Sequence, residues 1–265
     1  MEPFLFRAGR TPLLVGMPHV GTHVPADIAE NLTAHALTVP DTDWHVDRLY
    51  DFLDDLGASV IAATHSRYVV DLNRAPDGAD LYPGRDTTEL CPTTDFDRQP
   101  LYRDGRHPDG AGIASRVSAY WQPYHTALAA ELERLKAVYG VALLWDAHSI
   151  ASEVPRFFGG RLPDFNIGTN GGASCDPSLA RRVTAVAEAA RGYSAVLDGR
   201  FKGGYITRHY GRPDDGVHAI QLELSQRTYM EEGPPFAFRD DLAGAVRPVL
   251  QAMLDAVLDW AGRDG

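Results

Sequence analysis

Short apolar runs alternate along this chain with longer segments of helical apolar spacing, and this alternation restricts the fold more than any other feature. The predicted strands are Leu13–Met17, Ala58–Ala63, Tyr68–Leu72, Val141–Trp145, Ala195–Leu197 and His218–Leu224. The predicted helices are Thr42–Leu56, with Thr42 or Asp43 as its cap, Ile113–Tyr139, which Gly140 ends, Pro177–Arg191 and Asp240–Trp260. Strands that alternate with helices predict an α/β domain with a largely parallel sheet.

Two segments show no regular spacing. Asn73–Arg116 is rich in Pro, Gly, Asp and Thr, and residues 151–176 are rich in Gly and Asn. A loop as long as the first one is usually functional or a lid, but the sequence leaves open whether residues 75–112 close over a ligand. No Pro/Gly-rich linker separates two cores, so we expect residues 1–265 to form a single domain.

Charge and composition exclude several classes of partner. The chain has 25 Lys and Arg against 36 Asp and Glu, a formal charge of −11, and such a surface repels the phosphates of nucleic acids and anionic membranes. No apolar run has the length of a membrane span, and the first residues lack the apolar stretch of a signal peptide. Two cysteines, Cys91 and Cys175, favour free thiols, so we expect a cytoplasmic protein. The oligomeric state stays open.

Polar side chains collect where the predicted strands end, which is where open α/β sheets bind ligands. These residues are His19, Asp71, Asn73, Arg74, Asp146, His148 and, within the last strand, Glu223. Three kinds of side-chain chemistry thus meet where the sheet predicts a pocket.

His19 and His148 form the natural metal-binding pair, since imidazole and carboxylate groups are good ligands for Zn²⁺. A catalytic zinc site needs a third protein ligand, for which Asp43 is the first candidate and Asp47, one helical turn later, the second. Asp146 lies two residues before His148 and so on the same face of an extended chain. It could bind the metal or orient a ligand.

Glu223 lies inside an apolar strand, where a carboxylate is costly to bury without a partner. One interpretation is an exposed glutamate on an edge strand. The other is a general base that takes a proton from water activated by the metal, a role that partial burial favours because it raises the pKa of a carboxyl group.

Four arginines are candidates for binding an anionic substrate: Arg67, Arg74, Arg208 and Arg212. The guanidinium fork matches a carboxylate, although each of these residues could instead form a surface salt bridge.

Ser149 adjoins His148, but neighbours on a strand point to opposite faces, so a Ser-His dyad is not expected. His125 is expected to pack or to bond a loop, and the other loop histidines, His23, His35, His65 and His107, are expected to be solvated.

Eight segments in order carry a resemblance to a known family. They are MPHVGTHVP (17–25), TDWHVDRLYDF (42–52), THSRYVVDLNR (64–74), YWQPYH (120–125), LWDAHS (144–149), DFNIGTNGG (164–172), FKGGYITRHYG (201–211) and HAIQLELSQRTYM (218–230). Each is short, but together they span most of the chain, which resembles the N-formylglutamate amidohydrolase family.

The resemblance implies a three-layer α/β/α sandwich with a mostly parallel mixed sheet, similar to the zinc carboxypeptidase-like hydrolases. It implies one Zn²⁺ ion held by His19, Asp43 and His148, with Glu223 as the base. The implied reaction is hydrolysis of N-formyl-L-glutamate to L-glutamate and formate, the last step of a histidine degradation route.

For the dicarboxylate substrate, the resemblance indicates Asn73 and Arg74, assisted by Arg67 or Arg208. One departure is that carboxypeptidase relatives use a His-x-x-Glu metal motif, whereas position 22 here is Thr. Two alternatives stay open: a zinc deacylase or carboxypeptidase-like enzyme for another N-acyl acidic amino acid, and a metal-free binding protein.

Overall fold

The computed structural model describes residues 1–81 and 84–264 of the chain. Within these residues, seven strands form one mixed sheet in the order β1-β3-β2-β4-β7-β5-β6. The strands are β1 (Phe4–Arg7), β2 (Leu13–Met17), β3 (Ser59–Ala63), β4 (Ala142–Ile150), β5 (Phe165–Gly168), β6 (Ala195–Leu197) and β7 (Val217–Ser225). The central strands β3, β2, β4 and β7 are parallel, and the antiparallel contacts are β1 with β3 and β5 with β7. The predicted α/β fold with a mostly parallel mixed sheet is confirmed.

Helices cover both faces of the sheet and produce the expected three layers. They are α1 (Ala26–Ala29), α2 (Val46–Leu49), α3 (Gly110–Arg116), α4 (Gln122–Tyr139), α5 (Pro177–Ala189), α6 (Tyr205–Tyr210) and α7 (Asp240–Asp264). A π-helical turn at Val117–Trp121 joins α3 to α4, so the predicted helix over 113–139 exists and begins three residues early. No helix in the described part of the chain is long and apolar enough to cross a membrane.

The central strand β2 shows how the two cores form. Leu13 and Val15 point to the face covered by α5 and α7, where Val183 belongs to the same buried cluster. Leu14 points to the opposite face and joins the cluster that contains Leu128 of α4. Because both faces are covered, β2 is an apolar run without alternation. The prediction of a single domain stays a prediction, since the clusters alone do not test it.

The strand β4 is longer than predicted, because it continues through the polar residues Asp146 and His148 to Ile150. Pairing with β7 extends along its whole length, whereas pairing with β2 stops at Asp146. The second half of β4 is therefore open on the β2 side. The short strand β5 was not predicted, because its Gly/Asn-rich surroundings hid four residues that pair with β7.

The predicted helix over Thr42–Leu56 is wrong. The structure has only the single turn α2 and a 3₁₀ turn at Asp51–Leu53. His45, in the left-handed conformation with φ of 61°, precedes α2, and the backbone N–H of Asp43 donates to the carbonyl of His19. Neither Thr42 nor Asp43 caps a helix, so the Asp43 carboxylate is not used for helix capping.

The predicted strand at Tyr68–Leu72 is also wrong. This segment is buried along its length but folds into turns, in which the N–H of Arg74 donates to the carbonyl of Asp71. The Asp71 carboxylate accepts the N–H of Asn73 at 2.8 Å, a local bond by which aspartate replaces regular structure with a turn. Apolar spacing alone does not distinguish such a buried turn from a buried strand.

His125 on α4 is a packing residue, as expected. Its ring stacks on Trp121 with 3.7 Å between ring centroids, its Nε2 lies 2.8 Å from the carbonyl oxygen of Leu72, and its Nδ1 lies 3.0 Å from the Tyr210 hydroxyl. Burial lowers the pKa of His125 to about 3. The helix thereby supports the turn that presents Asn73.

This pKa predicts a pH-dependent stability. Between about pH 3 and 6.5 the unfolded chain binds a proton at His125 that the folded chain does not. The free energy of unfolding that comes from burying the neutral ring is therefore fully present above pH 6.5 and is lost as the pH falls. We expect the loss of unfolding free energy from pH 7 to pH 5 to be about 2 kcal/mol smaller in His125→Gln than in the wild type. Urea unfolding at both pH values measures it. The exposed control His107→Gln should keep the wild-type pH dependence, and an unchanged dependence in His125→Gln would contradict the assignment.

Candidate active site

A cavity opens at the carboxyl ends of the central strands, as the sheet topology predicts. Its wall contains residues from β4 and β7, from the loop after β2 and from the two irregular segments. They include His19, Asp43, Arg67, Asn73, Arg74, Leu81, Asp86, Thr87, Phe96, His148, Phe157, Arg200, Phe201, Gln221 and Glu223. Most of the site residues predicted from the sequence therefore meet in one place.

His19, Asp43 and His148 form a buried group whose ligand atoms all lie within 4.8 Å of one another. Oδ2 of Asp43 is 3.0 Å from Nδ1 of His148 and 3.7 Å from Nδ1 of His19. The imidazole centroids are 4.9 Å apart. Two imidazoles and a carboxylate arranged in this way could bind a divalent metal ion.

Both imidazoles have a carboxylate partner on their other nitrogen. Nε2 of His19 lies 2.7 Å from Oδ1 of Asp71, and Nε2 of His148 lies 3.0 Å from Oδ1 of Asp146. Such partners fix the ring orientation and tautomer of metal-binding histidines, which here leaves Nδ1 of each ring toward Asp43. Thr207 in turn holds Asp146, since its hydroxyl donates to Oδ2 at 3.0 Å.

Asp43 reaches His19 and His148 because the backbone departs from the predicted fold at two places. The chain does not continue directly into a helix after Thr42, and within the described residues no strand lies beside the second half of β4 on the β2 side. The backbone N–H of Ser149 donates to Oδ2 of Asp43 at 3.2 Å. The carboxylate therefore occupies the place where a strand neighbour would have bonded β4.

Negative charge dominates the buried surroundings of this group. Asp43, Asp71 and Asp146 are almost fully buried, and Arg67 is the buried cation that contacts Asp71. Burial lowers the pKa of His19, assisted by Arg67. Burial also opposes protonation of His148, but the carboxylates of Asp146 and Asp43 outweigh it and raise its pKa well above the usual range. A cation between the imidazoles would balance the carboxylates, so the donor set fits a divalent metal.

Glu223 is buried in the sheet interior, because β7 lies between β4 and β5. The interpretation of an exposed edge-strand glutamate is therefore wrong. Its backbone pairs with His148 in register, which places the carboxylate beside the three-residue group. Burial raises the pKa of Glu223 to about 8, His148 opposes that shift and Asp43 adds to it. Such a carboxyl group can exchange a proton near neutral pH.

Three predicted substrate residues have structural contacts as well as a place in the wall. Arg67 donates from Nη2 to Oδ2 of Asp71 at 2.7 Å, and so braces the carboxylate that holds His19. The Asn73 amide nitrogen lies 2.9 Å from Nε2 of His148, and its Oδ1 accepts the N–H of Ile206. Arg74 donates to the carbonyl and hydroxyl of Thr88, in the segment that completes the wall.

Asp146, the carboxylate partner of His148, and three other predicted residues lie outside the wall. Asp47 is exposed and lies in a surface groove with Leu5 and Tyr50, so the structure does not bring it to the imidazoles. Arg208 donates to the carbonyls of Gly203 and Leu81, and thus joins the start of α6 to the 75–112 segment. Arg212 forms surface ion pairs with Asp215 and Glu133.

Sequence reasoning missed the role of one residue behind the wall, Asp71, and several residues in the wall itself. Asp71 was noted only as a polar residue at a strand end, and its adjacency to Asn73 and Arg74 was the one available signal. Arg200, Phe157 and Phe201 belong to irregular segments that have no periodicity to read. Gln221 lies two residues before Glu223 and hence on the same strand face; its Nε2 is 3.4 Å from Oε2 of Glu223.

Comparisons with known proteins agree with this site. Residues 11–230 match the family model described as N-formylglutamate amidohydrolase. The chain is 56% identical over 263 residues to the N-formylglutamate deformylase of Pseudomonas aeruginosa, covering 99% of this chain and 98% of the relative. It is 53% identical over 255 residues to the enzyme of the same name from Pseudomonas putida, covering 96% and 95%.

Two solved structures share the fold of this chain. The crystal structure of N-formylglutamate amidohydrolase from Ralstonia eutropha JMP134 superposes with a TM-score of 0.84 at 26% identity, and both chains are covered completely. A gene product of Agrobacterium tumefaciens shares the fold, with a TM-score of 0.73 at 18% identity over 97% of this chain and 95% of that one. The predicted family is therefore confirmed: this chain belongs to the N-formylglutamate amidohydrolase family.

Proposed function

We propose that this protein is an N-formylglutamate deformylase, which hydrolyses N-formyl-L-glutamate to L-glutamate and formate. The observation that carries the proposal is the buried group of His19, Asp43 and His148 beside the buried Glu223. Two full-length relatives above 50% identity that bear this name support the choice of substrate. A cytoplasmic location, expected from the sequence, stays a prediction.

Zn²⁺ is the metal that we propose for the group, with His19 and His148 binding through Nδ1 and Asp43 through its carboxylate. Two imidazoles and one carboxylate are the ligand set of many catalytic zinc sites. When bound, the ion supplies a Lewis acid that polarises the formyl oxygen and makes water more acidic. Its charge would also lower the pKa of Glu223 from about 8, because a nearby cation favours the carboxylate.

Glu223 is the proposed general base and, in the second half of the reaction, the general acid. It accepts a proton from the water that attacks the formyl carbon. It then delivers this proton to the nitrogen of glutamate as the C–N bond breaks and formate leaves. Gln221 holds the Glu223 carboxylate from one side and is itself fixed, because its Oε1 accepts the N–H of Gly204 at 2.7 Å.

The dicarboxylate substrate would be held by the cationic side of the wall. Arg74 and Asn73 are the proposed carboxylate ligands, and their bonds to Thr88 and Ile206 hold both side chains in place. Arg67 acts by bracing Asp71 and, at 4.0 Å, by lying next to Asp43. For Arg208, its bonds to backbone carbonyls support a role in holding the wall segment rather than in touching substrate.

The substrate assignment predicts a preference that a panel of N-acyl amino acids measures. We expect N-formylglutamate to have a kcat/KM at least 10²-fold above N-acetylaspartate, a difference of about 3 kcal/mol in transition-state binding. Equal or faster turnover of N-acetylaspartate would favour the alternative deacylase. Ligand binding without turnover, in protein that contains no metal, would favour the binding protein.

The role of Glu223 predicts the behaviour of Glu223→Gln. This near-isosteric change removes the proton acceptor, and we expect kcat to fall by ~10²-fold or more while metal content is retained. Steady-state kinetics and elemental analysis of the same preparation measure both. Near-normal turnover would mean that another residue is the base.

The choice between Asp43 and Asp47 predicts a matched pair of variants. Asp43→Ala removes a buried ligand and should lower bound zinc to below about one tenth of the wild-type content, because the remaining two imidazoles bind weakly. Asp47→Ala changes an exposed side chain of the same type and should retain the metal. Elemental analysis of both proteins after dialysis checks this, and the reverse pattern would move the third ligand to Asp47.

A further inference from the structure

Three guanidinium groups contribute to the cavity wall among the described residues, and two of them hold the site together. Arg67 bonds Asp71, and Arg74 bonds the carbonyl and hydroxyl of Thr88. The third, Arg200, was not predicted from the sequence and has a different setting. It lies on the loop between β6 and α6, far along the sequence from the segment that carries Arg67 and Arg74.

The orientation of Arg200 is fixed by a carbonyl and by aromatic rings. Its Nε donates to the carbonyl of Phe157 at 2.7 Å. Its guanidinium carbon lies 5.3 Å from the ring centroid of Phe201 and 5.9 Å from that of Phe157. A guanidinium held at Nε and stacked near two rings is pre-organised, so it loses little side-chain entropy when it binds a carboxylate.

The surroundings of Arg200 strengthen an ion pair. Phe157 and Phe201 pack against a small apolar cluster of Ile150, Val154 and Leu162, so this side of the cavity is apolar. The attraction between a guanidinium and a carboxylate rises as the local dielectric falls. An aromatic-lined arginine is therefore a better carboxylate site than an arginine on an open surface.

The negative charges of the wall also favour a second cationic site for the carboxylates of the substrate. Asp43 and Glu223 lie in the wall, and a substrate with two carboxylates would meet their negative field. The third acid of the wall, Asp86, accepts bonds from Arg98 and Arg156. A second carboxylate ligand, distant in sequence from Asn73 and Arg74, would let the site hold both ends of a diacid.

We propose that Arg200 binds one of the two carboxylates of the substrate and thereby sets the preference for an acidic amino acid. This inference rests on the proposed function, because it takes the substrate to be a dicarboxylate. It assigns Arg200 to the direct contacts with substrate, with Phe157 and Phe201 as its supports.

The test compares N-formylglutamate with its two monoamides, N-formylglutamine and N-formylisoglutamine, each of which lacks one carboxylate. We expect Arg200→Gln to lower kcat/KM for N-formylglutamate by about 10²-fold, mainly through KM, because a charge-assisted bond is lost. The wild-type preference for N-formylglutamate over one of the two amides should disappear. A preference over both amides that stays as in the wild type would overturn the proposal.

Two further variants serve as controls for the Arg200→Gln result. Arg200→Lys retains the charge without the fork and should show an intermediate loss. Arg161→Gln removes an exposed arginine of the neighbouring loop, paired with Glu153 at 3.4 Å, and should stay within about twofold of the wild type. Equal losses in Arg200→Gln and Arg161→Gln would indicate a nonspecific charge effect and count against the proposal.

A binding measurement separates this inference from the proposed function. Calorimetric titration with glutarate, a diacid without the formamide, requires no turnover. Weaker binding of glutarate to Arg200→Gln than to the wild type, at equal zinc content, supports the assignment, and equal binding contradicts it. A wild type that binds glutarate but does not hydrolyse N-formylglutamate would instead contradict the proposed function alone.

Discussion

The contact of the Asp43 carboxylate with His148 and with the open edge of β4 is the constraint on which the site depends. One oxygen, Oδ2, lies within 3.2 Å of Nδ1 of His148 and of the backbone nitrogen of Ser149. This contact exists because the sheet ladder between β2 and β4 ends early and because the chain after Thr42 does not become a helix. Irregular backbone at these two places is thus what assembles a three-donor group from distant parts of the chain.

Burial gives that group its chemical character. Carboxylates enclosed at the carboxyl ends of the central strands need positive charge, and the His148 imidazole, whose pKa they raise, supplies part of it. The same enclosure raises the pKa of Glu223, the neighbour of His148 in the sheet. A group that could hold a metal ion and a carboxyl group with a raised pKa therefore lie side by side at one buried, acid-rich strand end.

The sequence predicted most strands of the sheet and the group of His19, Asp43 and His148, but not the backbone between them. Strands such as Leu13–Met17 are buried on both faces, and continuous apolar runs indicate them directly. His19 and His148 were found because they follow predicted strands, Asp43 because it is an acid at the start of a predicted helix, and Glu223 because a carboxylate inside an apolar strand is unusual. The turn at Tyr68–Leu72 was taken for a strand because its burial comes from tertiary packing. Arg200 was missed because the carbonyl and one of the two rings that fix its orientation belong to Phe157, which is distant along the chain.

The wall segment after Asn73 is fastened to the rest of the molecule largely through its peptide groups. Arg208 reaches the carbonyl of Leu81 and Arg74 reaches that of Thr88, and a carbonyl is present whatever side chain a residue carries. Side chains on this segment other than Asp86 and Thr88, which form bonds of their own, can therefore change while its course along the cavity wall is retained. Evolution or engineering could alter which acyl amino acids enter from this side, and the metal-binding strands would be left untouched.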